Sequence, residues 1–561
     1  MIRTGHTDGR NGARNALATL PWLAAFVTAA APAAWAHPVT VDASSADWFG
    51  VTVSTADVAQ ISRDAAAHAE YVWNDASNDT RPEVGDQPGL DLVQFRVTGD
   101  SQRLYFVALT RGSVATSGAG APMLQIALRT DTTNAARPNA FVDGARTMVK
   151  SGAEWDALFK TRFATGAGPR VCDKSQHDVV CSAQASINAS GVIEGSIPWT
   201  ALGYPTAPLT PVRFSVALFK ASAVDTALAV AANVSNAVDV VSDGGSPASV
   251  PNTAVSTPGG NLDYSFDVYF NRNGEPYAPL LISQVSYAQG PSKNWVALVN
   301  VSRSPLLLSD FKVGDAPRPN SSSGGMGTLP ALTLPAGQSI VVCQDGDSFY
   351  TKYGFRAGAE CHGADPWTAD MGPCAAWGEQ PGLLLDTNGD HVLVLDRANT
   401  VIDVVVWKHA SWPGMASSPG ANGQDVLQRG SLTNVTNNAG SDFGSTSSST
   451  PGSVTGATLG VGAPVVDGSV QFALSPNPFR GTANLSIRLA TAAPTLVSVR
   501  VFDVTGRLVR TLLRDQMLTP GVTLIHWEGD DEHGRPAPSG SYRFLVTTPQ
   551  GRTNLCGVRI R

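Results

Sequence analysis

Charge is scarce in this chain of 561 residues: Asp, Glu, Lys and Arg make up 15%, against the roughly 25% usual in soluble domains. Long solvated helices, coiled coil and charge-driven disorder are excluded, because each needs dense charge. Basic runs are also missing. With 39 basic against 46 acidic side chains and a net charge of -7, no stretch can follow a phosphate backbone, so nucleic acid is not an expected partner. Several catalytic signatures are absent: no G-x-S-x-G, no H-E-x-x-H, no G-x-x-x-x-G-K-[ST], and no dinucleotide fingerprint behind a strand. The nine histidines are scattered without the spacing of a metal face. Beyond the amino terminus no segment approaches 18 uninterrupted apolar residues, so the mature chain is expected to have no transmembrane segment.

What is present points to strands and turns. Gly 55 and Pro 37 together make about one residue in six, and 43% of residues are hydrophobic. The length suits three or four domains, each with its own core. The amino terminus carries Arg3, Arg10 and Arg14, then an apolar stretch from about Ala16 to Ala33, broken by Pro21 and Pro32. It closes with Ala34-Trp35-Ala36 ahead of His37. This pattern predicts a cleaved signal peptide over residues 1–36 and a chain that is secreted or held at the cell surface. A membrane anchor is the alternative use of such a run; the prolines and the small-x-small ending favour the peptidase.

In an exported chain the six cysteines read as disulfide candidates. Cys172 and Cys181 flank a polar stretch that a hairpin closed by one bridge would accommodate. Cys361 and Cys374 bracket a Gly/Pro/Asp-rich loop and form the second candidate pair, which leaves Cys343 and Cys556 as buried free thiols. A zinc site competes for these residues, but no C-x-x-C is present and His362 has no partner at ligand spacing.

From Val39 to about Phe270, short alternating runs between turn residues predict sandwich strands. Residues 91–98 alternate, Gly99-Asp100-Ser101 turns, and residues 104–109 return as the partner, a hairpin with one buried face. Residues 123–128, 192–197 and 212–219 supply further strands, and only 154–163 reads as helical. Beyond a Pro/Gly/Asn-rich join at 271–279, a second β-rich stretch includes 280–285, 294–300, 305–310, 339–342, 390–396 and 401–407. Between Gly430 and Gly468 the composition shifts to Ser, Thr, Asn and Gly, too poor in apolar residues to offset the entropy of ordering, which predicts a flexible tether. In the closing segment Val497, Val499 and Val501 face one way and Ser498, Arg500 and Phe502 the other. Gly506, Gly529, Gly534 and Gly540 sit where turns need positive φ, and Trp527 has a core position.

Asp42 with Trp48, the segment 71–76 followed by Asp79, the hairpin just described and residues 194–203 resemble the β-sandwich superfamily of DOMON domains, family 9 carbohydrate-binding modules and the C-terminal domain of glucodextranase. The resemblance implies a module that binds sugars, haem or calcium, or serves as a spacer. The order of runs from Leu280 to Trp407, with 426–429 and 450–452 trailing, resembles a lamin-tail domain, an immunoglobulin-like sandwich. Bacterial members usually carry Glu where this chain has Ala297. Residues 472–479, 497–510, 527–530 and 538–542 resemble the immunoglobulin-like domain of flagellar hook-capping proteins and its relative, the C-terminal sorting domain of the type IX secretion pathway. The expected fold is all-β, three β-sandwich domains in a row over 37–272, 278–455 and 469–561, with a Ser/Thr/Gly/Asn-rich linker from about 430 to 468.

Glycoside hydrolysis needs only two carboxylates across a cleft. Glu70, Asp75, Glu154 and Glu194 are the acids available for it in the first domain, their other use being as solvated surface groups. Asn74, Asp75, Asn78 and Asp79 offer closely spaced hard oxygens to which Asp86 and Asp91 add, the donor set calcium takes. The same residues also suit a polar turn that bonds its own backbone. Trp73 and Trp155, in or beside polar segments, are the candidate platforms for stacking a sugar, while Trp48 and Trp199 fit the core. Cleavage after Ala36 would place the α-amino group and imidazole of His37 together, which resembles the start of the copper histidine brace of lytic polysaccharide oxygenases. His68 or His177 would then be the second histidine.

These readings describe an exported, non-enzymatic binding or structural protein with no catalytic residue and no cofactor beyond calcium. Its expected partners are polysaccharide or other surface proteins. The last domain is either a passive spacer or an address read by a secretion apparatus. The alternative class is a polysaccharide-active enzyme with a carboxylate site in the first domain.

Overall fold

The computed structural model describes residues 37–561 except 50–58, 76, 131–135, 209, 228–235, 242–259, 263, 288–293, 320, 322, 364, 376, 378, 422–425, 447–449, 454–469, 490–494, 519–520, 549–550 and 561. The predicted signal peptide and the 454–468 part of the predicted tether lie outside the described residues.

Period-two alternation builds the first sandwich. Strand Leu92–Gly99 pairs antiparallel with Arg103–Thr110 around the expected turn. Their sheet faces a second one made of Arg170–Asp173, Ala157–Lys160, Pro122–Arg129, Val212–Lys220 and Asp239–Val240, with Phe266–Val268 alongside Val212–Lys220. Phe95, Phe106, Phe159, Phe214, Phe266 and Trp199 fill the space between the sheets. Each such side chain, taken from water, stabilises the fold by roughly 1.5–3 kcal/mol.

Two local expectations change here. Residues 154–163 form no α-helix, only the start of a 3-10 turn at Phe163: Ala157 and Phe159 enter the inner core, whereas Trp155 and Leu158 enter a second cluster on the sheet's outer face. Opposite faces for successive residues are the mark of a strand, and Ala157–Lys160 is one. The hairpin also buries both faces. Residues 37–49 lie across its outer side, where Trp48, Tyr105 and Val107 make a small cluster of their own.

All six cysteines are free thiols. Cys172 belongs to the outer cluster and Cys181 packs on the inner core, so the sheet separates the expected pair. Burial pushes the Cys172 thiol up to about 11. Cys361 lies 3.9 Å from the Met371 sulfur, while Cys374 is buried at the start of a tight turn closed by Glu379; they do not pair. Cys343 is buried as expected, but Cys556 is exposed on the last strand.

The second sandwich grows out of the first. One continuous sheet runs through eleven strands: Gly372–Pro373, Met326–Thr328, Lys312–Gly314, Gly389–Leu395, Val401–Lys408, Gln60–Arg63, Ala69–Asn74, Leu92–Gly99, Arg103–Thr110, Val192–Pro198 and Gln184–Ile187. The seam is parallel, Gln60 opposite Val401, with Val401 N donating to Ala59 O at 2.7 Å. Arg63 donates to Ile402 O at 2.9 Å and Trp412 to Gln60 Oε1 at 3.2 Å, both buried. The opposing sheet contains Leu280–Ser286, Trp295–Asn300, Ser339–Cys343 and Val426–Arg429. Ala297 lies with Trp295, Val341 and Phe349 beneath the helix Gly346–Tyr353. A glutamate there would put a charge under that helix.

Residues 430–446, expected to belong to the tether, are folded apart from their undescribed neighbours. Leu432, Ala439 and Phe443 are buried in the core of the second sandwich, and polar bonds add to them: Asn438 caps the short helix Ala439–Asp442, and Asp442 accepts from Thr436 N and Oγ1, both at 2.8 Å. Arg429 reaches Asp403 at 2.7 Å and Asp442 at 3.4 Å. Strand Phe443–Thr446 pairs with Val426–Arg429, and Gly452 N donates to Gln284 Oε1 at 2.7 Å.

The last domain is a sandwich of three strands, Val470–Ser475, Ala483–Leu489 and Gly521–Trp527, against four, Leu508–Leu518, Thr495–Asp503, Gly540–Thr548 and Gly551–Arg559. Trp527 is its centre, with Phe479, Tyr542 and Phe544 edge-on at 5.4, 4.9 and 5.4 Å. Gly529 has φ +70, and a Cβ there would meet the Gly481 carbonyl oxygen at 2.9 Å, so glycine is required by both torsion and space.

Candidate functional site

The amino-terminal segment is fixed by two buried glutamates. Glu70 Oε1 bonds the His37 ring at 2.7 Å and accepts from Phe49 N at 2.8 Å, and its Oε2 meets Arg96 at 3.3 Å. Glu194 Oε2 accepts from Asp42 N and Ala43 N, both at 2.9 Å, and Oε1 from Trp48 Nε1 at 2.8 Å. Both side chains are 0% exposed. Burial raises the Glu194 carboxyl, and the three donors pull it back toward the charged form. Glu154 accepts from Gly152 N at 3.0 Å and pairs with Arg129 at 3.3 Å. The acids weighed for hydrolysis are thus engaged by the fold: these three hold backbone and cations, and Asp75 sits in the cluster below.

His37 is 5% exposed and stacks on Phe49 at 4.7 Å. Its backbone N lies 3.4 Å from the buried Glu275 Oε1. The His68 ring is 6.3 Å away, centroid to centroid, with Nδ1 on Asp64 at 2.8 Å. His177 belongs to the exposed turn after Arg170–Asp173, in the other sheet. Of the two histidines considered as partners for His37, only His68 is its neighbour.

The acidic residues converge in part. Asp75, Asp79 and Asp239 each bring a carboxylate oxygen within 4.8 Å of the others. Asp79 and Asp239 are buried, and Asp75 is half-buried with Oδ2 closed off from water. Asp239 Oδ2 accepts from Leu92 N at 2.5 Å and Oδ1 from Val240 N at 2.9 Å. Burial pushes Asp239 well above its ordinary value, and the charges of Asp79 and Asp91 add to the shift. Asp91 stands beside the cluster, its Oδ2 taken by Arg111 Nε at 2.6 Å and Asn78 N at 2.9 Å. Asp86 is 63% exposed and paired with Arg111, so it is no part of the group. Asp239 escaped the sequence reading. Its signal is a lone acid inside the apolar run Ala237-Val-Asp-Val-Val241. Three carboxylates this close stay ionised together only beside a cation, and their hard oxygens suit calcium.

The aromatic platforms are not where they were expected. Trp73 and Trp155 are 1% and 0% exposed and belong to the core, because each occupies or adjoins a strand with both faces covered; no sugar can stack on them. Trp199 is core as expected, donating to Asp100 O at 2.8 Å. Among the described residues, Trp367 and Tyr350 of the second sandwich are large aromatics in solvent, 57% and 44% exposed; for Trp367 the Asp-Pro-Trp loop setting was the available cue.

Residues 473–552 match the family described as FlgD Ig-like domain. The last domain is therefore immunoglobulin-like. No curated protein matches the chain. Among solved structures, dimeric latent PorU from Porphyromonas gingivalis is similar over 90% of this chain and 34% of its own, at 11% identity and a TM-score of 0.16; the chain thus spans about a third of PorU. A DUF4876 family protein from Bacteroides thetaiotaomicron is similar over 57% of this chain and 90% of its own, at 10% identity and a TM-score of 0.23. An exo-chitosanase from Amycolatopsis orientalis is similar over 54% and 31%, at 12% identity and a TM-score of 0.12. Among the described residues, no helix is long and apolar enough to cross a membrane.

Proposed function

We propose that this chain is an exported, non-enzymatic binding or structural protein of the cell surface, with calcium bracing its first sandwich and its last domain making protein contacts. The non-enzymatic reading is supported by the acids themselves: Glu70 and Glu194 have their oxygens taken by residues 37–49 and Arg96. The calcium reading is supported by Asp75, Asp79 and Asp239. Sugar binding by the first sandwich, which its resemblance to DOMON and family 9 modules implies, needs a surface other than Trp73 and Trp155. The lamin-tail assignment of the second sandwich is supported by its strand order.

The observation that carries the docking role is an apolar cross-strand pair left in water. Leu496 and Met517 are opposite one another and 40% and 57% exposed, while Val504 and Leu508 of the same domain are 78% and 43% exposed. An exposed apolar pair such as Leu496 and Met517 is suited to protein contact, and Val504 and Leu508 lie apart from it at the turn end of the same hairpin. Deletion of the segment after Gly468 tests the role. Protein retained in the periplasm marks the domain as an address for secretion; unchanged export marks it as a spacer. The double substitution Leu496→Lys and Met517→Lys is expected to reproduce the deletion if the apolar pair is what the apparatus reads.

A further inference from the structure

A cavity of about 250 Å³ lies at the joint of the first two sandwiches. Arg63 comes to it from the first, Phe270, Arg272 and Tyr277 from the join, and Arg303 and Leu432 from the second. None of its lining residues is Asp or Glu, and three are Arg, in a chain whose acids outnumber its bases by 46 to 39. Arg63 is committed to Ile402 O. Arg272 is exposed and Arg303 half-buried, and among the described residues neither is held in an ion pair or by a hydrogen bond. Tyr277 lines the same cavity, and burial pushes its phenol up to about 12 against the pull of the Arg303 charge, so the hydroxyl stays neutral.

Two uncommitted guanidinium groups beside an apolar wall are suited to one kind of guest. Guanidinium holds carboxylate or phosphate through paired N–H donors, and the half-buried Val301, Val435 and Tyr277 offer contact for an uncharged body. Pockets for drug-sized ligands run to roughly 300–1,000 Å³, so this smaller space fits about one ring. We propose that the cavity binds a small organic anion the size of a single sugar ring, its carboxylate or phosphate on Arg303 and Arg272 and its apolar face on Val301, Val435 and Tyr277. The proposal is independent of export and of calcium.

Titration calorimetry on the full chain at low salt, with glucuronate, glucose 6-phosphate and glucose, tests it. At least one anion is expected to bind at least tenfold more tightly than glucose, and the tighter of the two names the preferred head group. Arg303→Ala and Arg272→Glu are each expected to weaken that binding at least tenfold without moving the melting temperature. Arg507→Ala, on an exposed turn of the last domain, is expected to leave it unaltered. Should Arg303→Ala fail to fold, Arg272→Glu, made at an exposed side chain, carries the test alone. Equal binding of glucose and the anions, no binding of either anion at millimolar concentration, or binding that survives Arg272→Glu overturns the proposal.

Discussion

Gln60 and Val401 are parallel strand partners that join two sandwiches into one sheet. The seam is short, and the buried side chains beside it reinforce it. Arg63→Ala removes a charged donor from Ile402 O, and hydrogen bonds to charged groups are worth about 1.5–3 kcal/mol. The variant is expected to lose about that much stability from both sandwiches together. Urea unfolding followed by Trp fluorescence and by exchange of backbone amides on either side of the seam should show the two transitions shifting as one; a shift confined to one side would mean that the seam does not couple them.

The acidic cluster predicts a pH dependence that calcium reverses. A carboxyl raised in the folded state, as Asp239 is, binds more protons folded than unfolded. Without metal, its contribution to stability is fully present below the unfolded value of 3.8 and is lost as pH rises through the folded one. Chelator-treated protein should therefore melt lower at pH 7 than calcium-loaded protein, and the gap should close on acidification as the carboxylates protonate. Asp239→Asn should narrow the gap at pH 7. An identical melting curve with calcium and with chelator at pH 7 would leave the cluster as a protonated network.

Asp315 and Asp396 of the second sandwich are pushed by burial to about 7. Both favour the fold below 3.8 and lose that contribution as pH rises from 3.8 toward 7. His391 works the other way: burial lowers it from 6.5 to about 4, so its contribution is lost as pH falls through that interval. Asp396→Asn keeps an acceptor for Ala398 N and Thr400 N, which Asp396 Oδ1 now receives at 2.8 and 2.9 Å. Relative to the parent chain, this variant should gain stability at pH 8 and gain little at pH 4. Melting curves at the two pH values would show it, and an equal effect at both would remove Asp396 as the cause.

Thiol labelling separates the cysteines by burial. Cys556 is exposed, Cys181 and Cys361 are half-buried, Cys172, Cys343 and Cys374 are buried, and none is bridged. The native protein should release one fast equivalent with a thiol reagent, with the buried groups reacting only on unfolding. A reductant should leave the melting temperature unchanged. A reductant-sensitive melt would restore the Cys172–Cys181 bridge.

The sequence showed its strands wherever one residue in two was apolar, as at Phe95 and Val97 or at Val497, Val499 and Val501, because alternation is a local property of the pleat. It also placed Trp527 and Trp199 correctly. What it could not show depends on partners far along the chain. Glu70 and Glu194 looked like surface acids until residues 37–49 were laid over them. Trp73 and Trp155 looked accessible because their neighbours are polar, yet both faces of their sheets are covered. Asp75 and Asp79 were legible as a pair, but Asp239 reaches them only through sheet pairing. Residues 430–446 have few apolar groups and read as tether, yet Leu432, Ala439 and Phe443 enter the core, and Asn438, Asp442 and Arg429 bond the segment in place.

Export is the claim on which the proposed role rests, and the amino terminus tests it most directly. Cleavage after Ala36 would turn the His37 N–H, 3.4 Å from Glu275 Oε1, into an ammonium group beside that buried carboxylate, which burial otherwise raises. Terminal sequencing of protein recovered from the cell surface and culture fluid is predicted to begin at His37. A chain found only in the cytoplasm and still beginning at Met1 would contradict the account.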